Sequence, residues 1–409
     1  MLFPPQPHAI KGIAMGVQSI QKNRTLTVAS LFSGIGGIEL GMKTAGHHTE
    51  LQCEILEPAR EILRCRFPES RLHSDVTRLK SLPTVEMVTA GFPCQDLSQA
   101  GRTKGITGEQ SSLIDHMFDL VRKKRAKPEW LLIENVPFML QLDRGRGMQH
   151  LTSQIQALGY NWAYRTVDAR SFGLPQRRRR VIILASRSQD PRQVLLSDEA
   201  CEPPAIDRKK GAVGFYWTEG NTGLGLTEDG VPTLKGGSGL GIPSPPAIWL
   251  RDRGAIGTPD IRDAERLQGF PVNWTLQAMN STNRIGIRWK LIGNAVSVPV
   301  ARWIGRNLHK TKPYDESHDE PMEVNTKWSN AGWCVDGKTY HSFVSEWPKR
   351  CSYRSLASFL KYPLMPLSEK ATAGFYYRIQ KSSLRRPNGF DRALESHLSA
   401  ICEDTVTAR

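Results

Sequence analysis

Short apolar runs recur along the first half of the chain, and segments with helical spacing of apolar positions separate them. Residues 59–67 and 112–125 have that spacing and are predicted to be helices. Alternation of strand-like and helix-like segments predicts an α/β fold with a mostly parallel sheet. The runs predicted to be buried strands are 25–32, 48–53, 85–90, 130–136 and 181–185.

Reactive side chains come directly at the ends of two of these runs. Cys94 belongs to Gly91-Phe92-Pro93-Cys94-Gln95, just past the run 85–90, and Glu134 lies near the end of the run 130–136. If the two runs are neighbouring parallel strands, the Cys94 sulfur and the Glu134 carboxyl meet at one edge of the sheet. A thiol nucleophile beside an acid outlines a reaction centre. A single cysteine is more often a buried apolar residue, so the neighbours carry this interpretation.

A glycine-rich turn follows the first run. Ser33-Gly34-Ile35-Gly36-Gly37 opens a predicted helix, where backbone approaches a ligand closely and negative charge is favoured. Glu54 comes 20 residues after Gly34, a spacing that suits a carboxylate accepting from ribose hydroxyls. Asp75 ends the next short strand. A nucleoside pocket is therefore predicted, with a plain tight turn and solvated surface acids as the alternatives.

Charge and cysteine content narrow the classes of function. The 409 residues include 55 Lys and Arg against 40 Asp and Glu, a net charge of +15 that favours a polyanionic partner such as nucleic acid. The seven cysteines form no Cys-x-x-Cys pair, which suits a reducing cytoplasm and argues against zinc or disulfide frameworks. Residues 1–24 are expected to be a flexible N-terminus, not a signal peptide, and no apolar stretch is long enough to span a membrane.

The composition of the chain changes twice after residue 188, once at the start of a Gly-, Pro- and Ser-rich segment and again after residue 310. Four arginines, Arg177 to Arg180, enter the run 181–185, and strand alternation turns Arg178 and Arg180 to one face. Residues 189–259 are rich in Gly, Pro and Ser and predict an inserted, loop-rich small domain. Helical patterns resume over 260–310. Acids then mark a linker, and 311–409 is interpreted as a linker and accessory region whose aromatic and basic residues either touch DNA or pack on the main domain.

Six motifs occur in a fixed order along the chain. They are Phe32-Ser33-Gly34-Ile35-Gly36-Gly37, Gly91-Phe92-Pro93-Cys94-Gln95, Glu134-Asn135-Val136, Gln176-Arg177-Arg178-Arg179-Arg180, Gln268-Gly269-Phe270-Pro271 and Gly293-Asn294-Ala295-Val296. In this order they resemble the motifs of bacterial DNA (cytosine-5)-methyltransferases over about residues 25–308, most of the insert excepted. The resemblance implies an S-adenosylmethionine-dependent, Rossmann-like α/β enzyme that acts on double-stranded DNA in the cytoplasm, at the nucleoid. Its catalytic domain would be discontinuous, 25–188 and 260–310, with 189–259 as the target-recognition domain.

The same resemblance implies roles for single residues and no metal site. Cys94 would be the nucleophile, attacking a cytosine flipped out of the duplex. The residues implied to hold that base are Glu134, Arg178 and Arg180. The residues implied to line the cofactor pocket are Phe32, Gly34, Gly36, Gly37, Glu54, Ile55, Asp75, Pro93, Leu113, Asn294 and Val296. The residues assigned to DNA contact are Ser98, Arg102, Thr233, Leu234, Lys235 and Ser238.

Three other interpretations compete with this one. A cytosine-5 methyltransferase acting on tRNA would keep the fold, but the sizeable insert favours groove-reading of DNA. A DNA-binding module without catalysis is disfavoured by the intact set of Cys94, Glu134 and Arg180. A nicotinamide dehydrogenase is disfavoured by the Gly-x-Gly-Gly spacing. The preferred enzyme is expected to be a monomer, with a cognate restriction endonuclease as a functional but non-contacting partner.

Overall fold

The computed structural model describes residues 25–92, 109–203, 205, 211–221, 223–237, 243–284, 286–323 and 327–407. Five residues with predicted roles lie outside the described residues, as does the N-terminus predicted to be flexible. They are Pro93, Cys94, Ser98, Arg102 and Ser238.

The described part of the chain contains the strands and helices that follow. The strands are β1 (Thr27–Leu31), β2 (His48–Cys53), β3 (Arg71–His73), β4 (Met87–Ala90), β5 (Trp130–Asn135), β6 (Asn161–Asp168), β7 (Arg179–Ser186), β8 (Ala212–Phe215), β9 (Thr227–Glu228), β10 (Ala247–Leu250), β11 (Ala255–Thr258), β12 (Glu320–Pro321), β13 (Ala331–Val335), β14 (Lys338–Ser342) and β15 (Met365–Pro366). The helices are α1 (Gly37–Thr44), α2 (Glu57–Arg66), α3 (Glu109–Arg122), α4 (Arg146–Ala157), α5 (Arg192–Leu195), α6 (Ile261–Leu267), α7 (Gly286–Asn294), α8 (Val298–His309), α9 (Leu356–Phe359), α10 (Glu369–Gln380) and α11 (Phe390–Thr407).

The main sheet has ten strands in the order β12-β14-β13-β6-β7-β5-β4-β1-β2-β3. Pairing is parallel from β3 to β5 and antiparallel from β5 to β12. The predicted α/β fold is confirmed. The parallel half carries apolar residues on both faces because helices cover both sides. The sheet is mixed: β7 and β6 begin its antiparallel half, and β13, β14 and β12 from the C-terminal part of the chain extend it.

Strand register brings the predicted site residues to one edge. Leu31 pairs with Cys53 and with Ala90, and Ala90 pairs with Ile133. The residues that follow these positions therefore stand side by side at the carboxyl ends of parallel strands, where open α/β sheets bind ligands. They are Phe32, Glu54, Gly91 and Glu134.

The segment 260–310 returns to the beginning of the chain. Helix α8 packs along α1 so closely that a Cβ added to Gly41 would lie 2.4 Å from the Ala301 Cβ. Val300 and Ile304 of α8 share one buried cluster with Val28 of β1. This packing places the turn between α7 and α8 beside the glycine-rich turn after β1.

Residues 311–319, where the predicted linker begins, form no helix or strand, but the strands that follow them belong to the main sheet. Strand β13 pairs with β6, and β14 and β12 extend the sheet from there. Asp319, one of the acids that suggested a solvated linker, accepts hydrogen bonds from Tyr314 (2.7 Å) and Trp333 (2.6 Å). Paired in this way, the acid supports a strand edge instead of interrupting structure.

The insert and the end of the chain together form a second sheet, in the order β15-β11-β10-β8-β9. Helices α10 and α11 cover it. Phe375 of α10 stacks on Phe215 of β8 with ring centroids 5.2 Å apart, and Phe390 meets the same ring edge-on at 5.0 Å. The end of the region 311–409 is thus part of the small sheet's core and not a separate accessory unit.

Membrane insertion finds no support in these helices. In the part of the chain that the structure describes, no helix is both long enough and apolar enough to cross a bilayer.

We predict that Phe375→Ala lowers the free energy of unfolding by about 3–5 kcal/mol, because it opens a cavity in the core shared by α10 and the small sheet. Urea denaturation of the full chain measures this. Gln380→Ala, an exposed change on the same helix, should stay within about 0.5 kcal/mol of wild type. Equal effects of the two changes would contradict a shared core.

Candidate active site

The turn after β1 has a left-handed backbone at Phe32 (φ 57°), Gly34 (φ 56°) and Gly36 (φ 84°). A side chain at Gly34 would meet no atom within 4 Å, so the space in front of its backbone is open. A Cβ at Gly37 would instead lie 2.3 Å from the Val296 carbonyl oxygen. Only glycine at position 37 lets the turn after α7 approach this closely. We take the open space in front of Gly34, next to these two turns, as the predicted nucleoside pocket.

Glu54 holds the opposite side of that turn. Its Oε2 accepts the Gly34 N–H and its Oε1 accepts the Leu56 N–H, both at 2.8 Å. Burial raises the pKa of the Glu54 carboxyl, and these backbone hydrogen bonds offset part of the rise. The next residue, Ile55, leaves 69% of its surface exposed and so offers an apolar platform beside the carboxylate.

The structure describes the local surroundings of three further residues that are predicted to line this pocket. Asp75 accepts hydrogen bonds from the Thr77 hydroxyl (2.7 Å) and amide (2.9 Å), which lower its pKa. Leu113 and Phe32 pack against the same buried cluster. Asn294 ends α7 with an exposed side chain.

Glu134 forms an ion pair with Arg180 across β5 and β7, with Oε1 and Nε 2.9 Å apart. The arginine also donates to the Arg179 carbonyl at 2.8 Å, which fixes its direction. A Cβ added to Gly91 would lie 3.7 Å from Glu134 Oε2 and 3.8 Å from Val296 Cγ2. The strand that leads to Cys94 therefore arrives between the acid–arginine pair and the wall of the pocket.

Arg178 points inward as predicted, but protein carbonyls surround its guanidinium. It donates to Leu234 (3.1 Å), Gly293 (3.1 Å) and Ala295 (2.6 Å), and it is 1% exposed. These contacts leave the predicted contact with cytosine without support. We infer that Arg178 joins the two parts of the main domain to the insert.

Two buried glutamines extend this junction, and sequence reasoning assigned them no role. Gln176 accepts the Leu234 N–H (3.0 Å) and donates to the Leu267 carbonyl (2.7 Å). Gln268 donates to the Ile292 carbonyl (3.0 Å) and accepts from the Ser297 hydroxyl (2.8 Å). Both belong to motifs quoted for the family resemblance, Gln176-Arg177-Arg178 and Gln268-Gly269-Phe270. Their occurrence in those motifs was the only available signal.

The predicted DNA-reading segment divides into buried and exposed residues. Thr233 donates to the Arg177 carbonyl at 2.8 Å. Leu234 is 2% exposed, so its side chain gives no support to the DNA contact predicted for this residue, which stays a prediction. Lys235 remains accessible, with an ion pair to Glu219 and its ammonium 3.7 Å from the centroid of the Tyr216 ring.

The described residues form an α/β fold in which the glycine-rich turn held by Glu54 and the Glu134–Arg180 pair lie at the same edge of the sheet. No cluster of three or more His, Cys, Asp or Glu residues suited to a metal ion occurs among the residues described. The model of the C-5 cytosine-specific DNA methylase family matches residues 26–212 and 260–310, which is more than half of the chain. The chain belongs to this family and is a DNA (cytosine-5)-methyltransferase.

Individual relatives agree with the family match. Type II methyltransferase M2.BsuMI of Bacillus subtilis is 48% identical over 363 residues, covering 86% of this chain and 93% of that protein. Type II methyltransferase M.HhaI of Haemophilus parahaemolyticus is 25% identical over 71% of this chain and 97% of its own length. The S. pombe Dnmt2 methyltransferase structure matches the fold with a TM-score of 0.51 at 18% identity, over 69% of this chain and 97% of that one. The predicted family is confirmed.

The two arginines should respond differently to substitution. Arg178→Met should lower the free energy of unfolding by about 3–5 kcal/mol, because three buried carbonyls lose their donor. Arg180→Met should cost less than half of that while removing methyl transfer. Urea denaturation and a methyl-transfer assay on the same preparations measure both. If Arg178→Met folds as stably as wild type but is inactive, the joining role is wrong.

Proposed function

We propose that the chain transfers a methyl group from S-adenosylmethionine to C5 of a cytosine flipped out of double-stranded DNA, through a covalent bond between Cys94 and C6. The position of Gly91, next to both Glu134 and Val296, is the observation that carries this proposal. Cys94 follows Gly91 by three residues in the sequence and lies outside the described residues, so its thiol is assigned to this boundary only as part of the proposal.

The pocket residues fit the proposed cofactor. The lone pairs of Glu54 that remain after its two amide contacts suit the ribose hydroxyls, and Ile55 offers an apolar surface to the adenine ring. Open space at Gly34 lets the turn approach the cofactor closely. Asp75 would meet the adenine amino group, and Val296 would close the wall. The cofactor supplies an electrophilic methyl group on a sulfonium.

Cytosine C5 is a weak nucleophile, and this site is suited to activate it. The Cys94 thiolate adds to C6, which turns the ring into an enamine. Glu134 donates to N3, and Arg180 stabilises the charge that develops at O2. C5 then takes the methyl group, its proton leaves to a base such as water, and the C5–C6 double bond re-forms as the thiolate departs. A base inside the duplex is out of reach, so the cytosine must first be flipped.

The partner proposed is double-stranded DNA, bound through phosphates by a chain of net charge +15. Residues 189–259 remain the proposed target-recognition domain, and the family match resumes only at residue 260 after its break at 212. Thr233, Lys235 and Ser238 remain proposed readers. Because relatives are named Type II methyltransferases, we further propose a place in a restriction–modification system, acting as a monomer at the nucleoid.

Cofactor affinity should depend on the ionised Glu54 carboxylate. Glu54→Gln should weaken S-adenosylmethionine binding by about 1.5–3 kcal/mol, because it removes charge-assisted hydrogen bonds to the ribose. Burial raises the pKa of Glu54 above its ordinary value, so wild-type affinity should fall as the pH is lowered through that raised pKa. The variant should lack this pH dependence. Calorimetry across pH that gives parallel curves for the two proteins would refute the assignment.

The covalent step can be trapped with DNA that carries 5-fluorocytosine at the target. Thiolate addition and methyl transfer proceed, but fluorine does not leave as a cation, so the enzyme should remain bonded to DNA with one methyl group transferred. The adduct should survive denaturing gels and require the cofactor. Peptide mapping should find it on Cys94.

Variants test the roles within this adduct. Cys94→Ala should abolish it, and Glu134→Gln should slow its formation strongly because an amide is a poorer proton donor to N3. An adduct on another cysteine would overturn the mechanism, as would an enzyme active on cytosine that forms none. A parallel assay with tRNA should show no transfer.

A further inference from the structure

Helix α10 carries an exposed stripe that has no part in the core. Lys370, Gly374, Tyr377 and Lys381 recur at intervals of three or four, so they lie on one side of the helix and continue just past its end. Tyr377 is 60% exposed, and the Lys381 ammonium donates to its hydroxyl and lies 4.1 Å from its ring centroid. A large aromatic ring and a cation are thus presented together to solvent.

Two acids of α11, Glu395 and Asp391, form hydrogen bonds with α10 away from the stripe. The Tyr376 hydroxyl donates to Glu395 of α11, and Gln380 donates to Asp391 of the same helix at 3.3 Å. Asp391 also pairs with Arg386. Glu395 and Asp391 therefore face the seam between α10 and α11, whereas Glu369 is exposed in the first turn of α10 beside Lys370, so the positive charge of the stripe is clearest at Lys381.

Arg378 connects this helix to the segment that carries Lys235. Its Nε donates to the Glu219 carbonyl and its second guanidinium nitrogen donates to the Trp217 carbonyl, both at 2.8 Å. The Glu219 side chain pairs in turn with Lys235. Helix α10 and the proposed reading segment are therefore connected through Arg378 and Glu219.

The helix is also rigidly placed. Phe375 and Ile379 are fully buried against Phe215 and the rest of the small-sheet core. Because those residues fix the helix, the stripe is held in place before any ligand arrives, and binding there costs little ordering entropy.

We propose that the α10 stripe binds the DNA backbone that flanks the target sequence. The inference rests on the proposed action on double-stranded DNA. Lys381 and Lys370 neutralise phosphates, and the Tyr377 hydroxyl donates to a phosphate oxygen. From Lys370 to Lys381 the stripe spans about 16 Å at a rise of about 1.5 Å per residue. That length matches about five base pairs at about 3.4 Å per step, so the contact covers DNA outside a short recognition sequence.

Salt titration of DNA binding tests the stripe. Lys381→Ala should weaken binding about 3- to 10-fold at moderate salt and reduce the slope of log affinity against log salt by about 0.9, the release expected for one phosphate contact. Tyr377→Phe should weaken binding and leave the slope unchanged, because it removes a hydroxyl and no charge. Both losses should appear in KM for DNA and should shrink when the duplex ends at the target sequence.

Lys338→Ala is the matched control. Lys338 is exposed at the start of β14 and pairs with Val335, at the edge of the main sheet opposite Glu134. It removes the same charge and should leave affinity and slope at wild-type values. If Lys381→Ala equals this control while the wild type methylates DNA, the stripe is not a DNA surface. If wild type itself methylates no DNA but transfers methyl groups to another acceptor, the proposed function fails and the inference with it.

Discussion

The buried polar junction around Arg178 is the constraint on which the rest of the structure depends. A guanidinium and two side-chain amides lie in the interior, where each unpaired polar group would cost about 1–3 kcal/mol. Their partners are backbone groups of three segments that are distant in sequence, at Leu234, Leu267 and 292–295. The network is satisfied only when all three segments are in place, so it specifies one arrangement of the insert against the main domain.

Close backbone contacts reinforce that arrangement and connect it to the site. A Cβ at Gly293 would lie 2.2 Å from the Lys235 carbonyl carbon, and one at Gly236 would lie 2.5 Å from Asn294 Oδ1. The same turn presents the Val296 carbonyl to Gly37. The end of α7 therefore contacts the proposed reading segment on one side and the cofactor turn on the other. A movement of the insert would therefore shift the turn after α7, and with it the wall of the predicted pocket at Val296.

Much of the site was predictable because local rules determine it. Glu54 and Glu134 end apolar runs, and parallel register alone brings such residues to one edge. Alternation into the run 181–185 predicts that Arg178 and Arg180 share one face, but it does not show which of them meets a carboxylate and which meets carbonyls. That difference depends on Leu234 and Ala295, whose approach is set by tertiary packing.

The C-terminal strands were missed for a related reason. Strand β13 pairs with β6, far away along the chain, and long-range pairing leaves no local pattern beyond an apolar run. The acidic residues around Asp319 predict a solvent-exposed linker. In the structure, Asp319 instead accepts hydrogen bonds from Tyr314 and Trp333. The aromatics of α10 were noticed, but their partner Phe215 lies in the insert, where periodicity is poor.

The segment 343–355 has a mechanical consequence, because it leads from the large sheet to the small one. It lies first along the main domain, where Asp168 donates its N–H to the Glu346 carbonyl and the Ser171 hydroxyl donates to Lys349. It then reaches the insert, where the Tyr353 hydroxyl donates to the Asp229 carbonyl. The chain therefore passes between the main domain and the small sheet at both ends of the insert and again through 343–355. Three connections at separate points allow fewer hinge axes than two neighbouring linkers would. The small sheet is therefore restrained to a narrower range of movement against the main sheet.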